Sequence, residues 1–147
     1  MPDSPQGPKP SPGPSRAARN RNPGNLRYNP ANDWLGQTGQ DKAGFCVFDT
    51  WEHGVRAMAR VLLRYCRKHR ICSIEGIVTR YAPPSENDTA AYIKNVARAV
   101  NKKPAVPLDL EDADTLAALV VAMTHQESGM RLSPQTISDG VALALAK

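Results

Sequence analysis

Residues 116–129, LAALVVAMTHQESG, decide how the chain folds. From Leu116 to Thr124 there is no charge, and apolar residues sit all round a helical wheel. Leu116, Leu119, Val120 and Met123 form a stripe at helical spacing, while Ala117, Ala118, Val121 and Ala122 fill the other faces. A helix apolar on every side belongs in the middle of a domain. Gly129 supplies the left-handed residue that stops it. Glu127 therefore stands at the exit of the expected core helix, where desolvation and the negative end of the helix dipole both disfavour its charged form. A glutamate kept protonated near neutral pH can act as a general acid. The same residue also reads as the point where the helix surfaces into solvent.

The rest of the chain supplies one domain around that helix. Its 147 residues suffice for a single core. Six of the 13 prolines fall within Met1–Pro14, so a disordered tail is expected there, extended to residues 1–19, with the folded domain over 20–147. No apolar run marks a secretory signal or spans a bilayer, so membrane insertion is not expected. A net charge of +5 points to an anionic partner: nucleic acid, a membrane surface or a cell-wall polymer. Cys46, Cys66 and Cys72 form no CxxC pair and lack zinc-site spacing with His69. They read as buried free thiols, which fits synthesis in the cytoplasm, with no metal and no cofactor.

Upstream of the core helix the pattern is mostly helical. Asn22-Pro23-Gly24-Asn25 is a turn, and residues 22–43 read as an ordered, irregular loop region with room for a hairpin. Gly44–Phe48 reads as a short strand. Thr50 caps a helix from Trp51 to about Lys68, with Val55, Met58, Ala59, Leu62 and Cys66 inward and Arg56, Arg60, Arg64, Arg67 and Lys68 outward. Ser73 caps a helix over Ile74–Tyr81, ended by Pro83-Pro84. Asn87 or Asp88 caps Thr89–Val100, with Ile93, Val96, Ala97 and Val100 inward. A linker over Lys102–Leu108 leads to Asp109, which begins the core helix. Ser133-Pro134 starts a last helix running to about Ala146.

Glycoside cleavage needs a proton donor and a second group, which is a base, a nucleophile or an internal substrate hydroxyl. Glu127 is the donor. Asp41, Glu52 and Glu86 are the acids open to the second role. Glu52 is explained as a first-turn charge on its helix, which leaves Asp41 and Glu86 as the candidates, although Asp41 also reads as a turn residue and Glu86 as a polar loop residue. No Ser-His-Asp set and no phosphate-binding loop is present. A helix-turn-helix over residues 51–81 would leave Arg80 as the sole base on its second helix, so nucleic acid is not expected as a partner.

Glu127-Ser128-Gly129 at the end of a buried helix resembles the catalytic segment of the lysozyme-like superfamily, goose-type lysozymes and lytic transglycosylases in particular. In those families that helix comes first. Here Gly44–Asp49 resembles the strand that follows it, Gly54–Tyr65 the next helix, Ile77–Ala82 the approach to a tyrosine motif, and Ala91–Val96 the closing helix with its tyrosine. The resemblance implies a mainly α, α+β lysozyme-like domain in circularly permuted order, a change tolerated when old termini meet at the surface. Arg21–Arg27, RNPGNLR, also resembles the opening of small phage-encoded proteins.

Two departures bear on substrate contacts: Cys46-Val47-Phe48 replaces a Leu-Met-Gln strand, and Ala82-Pro83-Pro84 replaces Asn-Ala-Gly.

The resemblance implies a peptidoglycan muramidase or lytic transglycosylase, with Glu127 as acid and Gly44, Phe45, Tyr81, Tyr92 and Ser128 contacting substrate. A monomer is expected, made in the host cytoplasm and acting in the periplasm or cell wall, or carried in the virion. The alternatives are a non-catalytic virion or wall-binding protein of the same fold, and a helical nucleic-acid binder using the arginines of the Trp51 helix.

Overall fold

The computed structural model describes residues 15–146. Residues 1–14, most of the tail expected to be disordered, lie outside the described residues. Ser15–Arg19, assigned to that tail from sequence, instead belong to the domain. Ser15 Oγ accepts the Ala18 amide at 3.2 Å and opens helix α1, Arg16–Asn20, whose Ala17 and Asn20 are buried.

Beyond the Asn22–Asn25 turn, strands β1 (Gln37–Gln40) and β2 (Cys46–Phe48) pair antiparallel, with an irregularity between Gln37 and Gly39. Asn22 organises this lobe. It is fully buried, and its side chain donates to the Leu26 and Cys46 carbonyls at 3.0 Å each while accepting the Leu26 amide at 2.9 Å. One amide side chain thus joins the turn to β2. Leu26, Trp34, Cys46 and Phe48 pack beneath it against Ala57, forming a small core of their own.

The helical body follows the sequence closely. Thr50 caps α2, Trp51–His69, by accepting the His53 amide at 3.1 Å, and Glu52 lies in its first turn. Ser73 caps α3, Ile74–Tyr81, and Asp88 caps α4, Thr89–Val100. Tyr92 takes a place in the buried stripe of α4, whereas Ile93 and Val100 are half-buried. The last two helices are α5, Ala113–Ser128, and α6, Pro134–Leu145, the latter capped by Ser133 with proline in its first turn. Val55, Met58 and Leu62 of α2 meet Leu116, Leu119, Val120 and Met123 of α5 and Ile137 and Val141 of α6 in the main core. A Cβ on Gly140 would collide with the Val55 side chain and the Glu52 carbonyl, so glycine lets α6 lie close against α2.

Three sequence expectations are corrected here. The core helix starts at Ala113 rather than Asp109. Asp109 heads a turn, accepting the Glu111 amide on Oδ1 at 3.1 Å and the Asp112 amide on its carbonyl at 3.2 Å. Asp112 is the cap, and Leu110 between them is buried in the core. Second, α5 is not buried on all sides: Ala118 is exposed and Val121 is 40% exposed. Small side chains made the helix look uniformly apolar, but α4 and α6 cover only part of it. Third, Cys66 and Cys72 form a disulfide; Cys46 alone is a free, buried thiol. Arg70, left-handed with φ 60°, caps α2 and turns the chain back, bringing Cys72 within 4.6 Å of Cys66 between Cα atoms.

Among the described residues no helix is long and apolar enough to cross a membrane.

Candidate active site

Glu127 sits in the last turn of α5 and is half-buried. Gly129, with φ 70°, stops the helix two residues later, as the sequence requires. The chain end of the helix is tied to the loop lobe: Asn25 Nδ2 donates to the Glu127 carbonyl oxygen at 3.1 Å. Asn25 is itself left-handed, with φ 49°, a conformation that asparagine tolerates better than most residues.

Burial pushes the Glu127 carboxyl above the ordinary glutamate range, and the Tyr92 hydroxyl beside it pulls it partly back. That hydroxyl is buried without a well-formed hydrogen bond. Burial, and then the neighbouring Glu127, push the Tyr92 phenol far up, so it stays protonated. The site therefore holds a carboxyl biased toward its neutral, proton-donating form, with a permanently protonated phenol at its side.

Glu127 opens into a cleft of about 410 Å³ that runs between the loop lobe and the helical body. Glu86, Phe45 and Tyr81 line it too, together with Arg16, Arg27 and Tyr65. Glu86 is exposed on the loop after α3. Phe45 stacks with two cations: the Arg16 guanidinium lies 4.3 Å and that of Arg27 4.7 Å from its ring centre. Tyr81 lines the wall, with its hydroxyl donating to the Gly24 carbonyl rather than standing free for a ligand.

Four of the sequence candidates do not line the cleft: Tyr92, which is buried beside Glu127, and three that lie elsewhere. Asp41 does not line the cleft. Its carboxylate accepts the Ala43 and Phe45 amides and the Asn20 side-chain amide, all at 2.9 Å, with Arg16 at 3.5 Å. The Phe45 amide, then Asn20, hold its carboxyl below the ordinary range, as suits a turn residue and not a proton acceptor. Gly44, with φ 89°, serves the same turn, its carbonyl accepting the Tyr28 amide at 2.7 Å. Ser128 donates back to the Thr124 carbonyl at 2.9 Å and satisfies the helix end.

The sequence reading missed Arg16, Arg27 and Asn25. Arg27 and Asn25 fall in the RNPGNLR stretch, the one signal that could have singled them out; Arg16 lay in a segment assigned to the tail. Two larger recesses, of about 550 and 710 Å³, flank the exposed side of α5, but they present Ala117, Ala118 and Val121 rather than a buried acid. No group of three or more His, Cys, Asp or Glu among the described residues is arranged to hold a metal ion.

No protein-family model matches the sequence. The chain is 38% identical over 119 residues to "Protein P5" of Pseudoalteromonas phage PM2, an alignment that covers 78% of this chain and 72% of that protein.

Proposed function

The chain belongs to the family of that phage protein, and we propose that it is a peptidoglycan-cleaving enzyme, a muramidase or lytic transglycosylase on a circularly permuted lysozyme-like fold. The observation that carries this reading is the half-buried Glu127, its carboxyl raised by burial, opening into a polar cleft between two lobes. Glu127 protonates the glycosidic oxygen between N-acetylmuramic acid and N-acetylglucosamine as the bond breaks. In the transglycosylase route the resulting carboxylate then takes the proton of the muramic 6-hydroxyl as that oxygen closes a 1,6-anhydro ring, so one carboxyl serves both steps. In the hydrolase route a second carboxylate activates a water. Of the two candidates Glu86 is favoured for that role, because it lines the same cleft whereas Asp41 is engaged in its turn. Phe45, braced by two arginines, offers an aromatic edge to a sugar. Action in the cell wall, as a lysis enzyme or carried in the virion, fits kinship with a phage protein.

Digestion of purified Gram-negative sacculi by the wild type and by Glu127→Gln, with the products identified by mass spectrometry, tests the reading. Anhydro-muropeptides from the wild type alone indicate the transglycosylase. Reducing ends indicate the hydrolase, and Glu86→Gln should then abolish their release. Intact binding by both proteins without any release would overturn the enzyme and leave a non-catalytic wall-binding module of the virion.

A further inference from the structure

The outward face of α2 carries a second concave site, which shares no residue with the Glu127 cleft. Arg56, Arg60, Arg64, Arg67 and Lys68 line a recess of about 360 Å³ with Trp34 and Asp33. The five cations are not equivalent. Arg67 makes a two-pronged pair with Glu111, at 2.7 and 2.6 Å, so its charge is answered. Arg64 is positioned over the Trp34 ring at 5.3 Å and donates to Asn32 Oδ1 at 3.2 Å. Arg60 uses Nη2 to donate to the Ala146 carbonyl at 2.9 Å, yet its Nε is buried with no acceptor. Arg56 is half-buried and makes no ion pair or hydrogen bond among the described residues. Burial, and then the charge of Arg60, disfavour its charged form.

Two half-buried guanidinium groups one helical turn apart, that of Arg56 with no acceptor among the described residues, turn N–H donors toward the recess and leave them for an acceptor from outside. The guanidinium fork matches a tetrahedral oxyanion, which can take donors from several directions at once. A carboxylate, with two oxygens in one plane, would serve fewer of them. A duplex fits less well, because Glu111 and Asp33 place carboxylates beside the cations, where they would repel a continuous polyanion. We propose that this recess binds a single phosphate group, free or on a lipid headgroup, between Arg56, Arg60 and Arg64, with Lys68 adding charge.

The test titrates the full chain at fixed ionic strength with inorganic phosphate, reading heat of binding and the arginine Nε–H resonances. One saturable site is expected, with the Arg56 Nε–H signal shifting most. Arg56→Gln should weaken it at least about ten-fold, the loss of one charge-assisted hydrogen bond. Because Arg60 also ties down Ala146, Arg60→Lys is the second variant: it keeps the charge, removes the fork and should weaken binding while leaving the circular dichroism melt in place. Sedimentation with phosphatidylglycerol vesicles, displaced by phosphate, would assign the site to a headgroup; phosphate binding without vesicle binding would assign it to the free ion, and either sustains the proposal. Absent saturation, or binding unchanged in both variants, would overturn it. So would tight association with duplex DNA that phosphate fails to displace.

Discussion

At the scale of the residue, Glu127 and Asn22 show what burial does to a polar side chain. The Glu127 carboxyl holds its proton to higher pH in the folded protein than in the unfolded chain. Its contribution to stability is therefore fullest at acid pH and is lost as pH rises from the ordinary glutamate range through the raised value. Glu127→Gln imitates the protonated form, so its urea midpoint should match the wild type at pH 4 and exceed it at pH 7. On the proposed role of Glu127 as general acid, the same variant should lose at least about 100-fold in rate in the sacculus assay. On the same proposal, wild-type activity should fall on the alkaline side as Glu127 ionises, at a pH raised above that of an ordinary glutamate by its burial. Asn22 is the opposite case, a buried amide with its bonds made. Asn22→Ala leaves the Leu26 amide without its acceptor and takes a donor from the Leu26 and Cys46 carbonyls, the former keeping the Cys46 amide, and should cost about 1–3 kcal/mol in chemical denaturation. Glu127 was legible because a charge-free run ends on it. The role of Asn22 was not, since an Asn-Pro-Gly-Asn stretch announces a turn without saying what its first side chain will hold.

At the scale of the element, caps were legible and contacts were not. Thr50, Ser73, Asp88 and Ser133 each precede a helical pattern and each accepts the amide three residues on. The start of α5 was misread because Asp109 and Asp112 are both good caps, and only burial of Leu110 in the core decides between them. The disulfide was hidden for a similar reason: nothing in Arg70 advertises a left-handed turn that doubles the chain back. That bridge closes a short loop, and Cys72 in turn accepts the Leu108 amide at 3.0 Å, tying the end of α2 to the approach to α5. Replacing both cysteines with serine should cost about 2 kcal/mol by the loop-entropy relation, seen as a lower midpoint that reductant no longer changes. At the α2–α6 contact, Gly140→Ala gains about 1 kcal/mol of helix propensity but overpacks Val55 and the Glu52 backbone by about 1–3 kcal/mol. A net loss of stability is expected in thermal melts.

At the scale of the whole molecule, the chain has two cores of unequal size. The helices share one extended apolar cluster, whereas the loop lobe rests on Leu26, Trp34, Cys46, Phe48 and Ala57. Local opening should follow that difference. Hydrogen exchange of the β1 and β2 amides should be measurably faster than that of the α2 and α5 interiors, under conditions where global unfolding is rare. The order of elements could be read from periodicity because it is local; the cleft could not, because its walls come from residues far apart in the chain. Asn25 spans that distance. Its bond to the Glu127 carbonyl makes one linkage out of two motions. An outward swing of the lobe would tug through that bond on the turn that carries Glu127, so the width of the gap and the depth of its carboxyl are mechanically linked, and a gauge fixed to either jaw would register both.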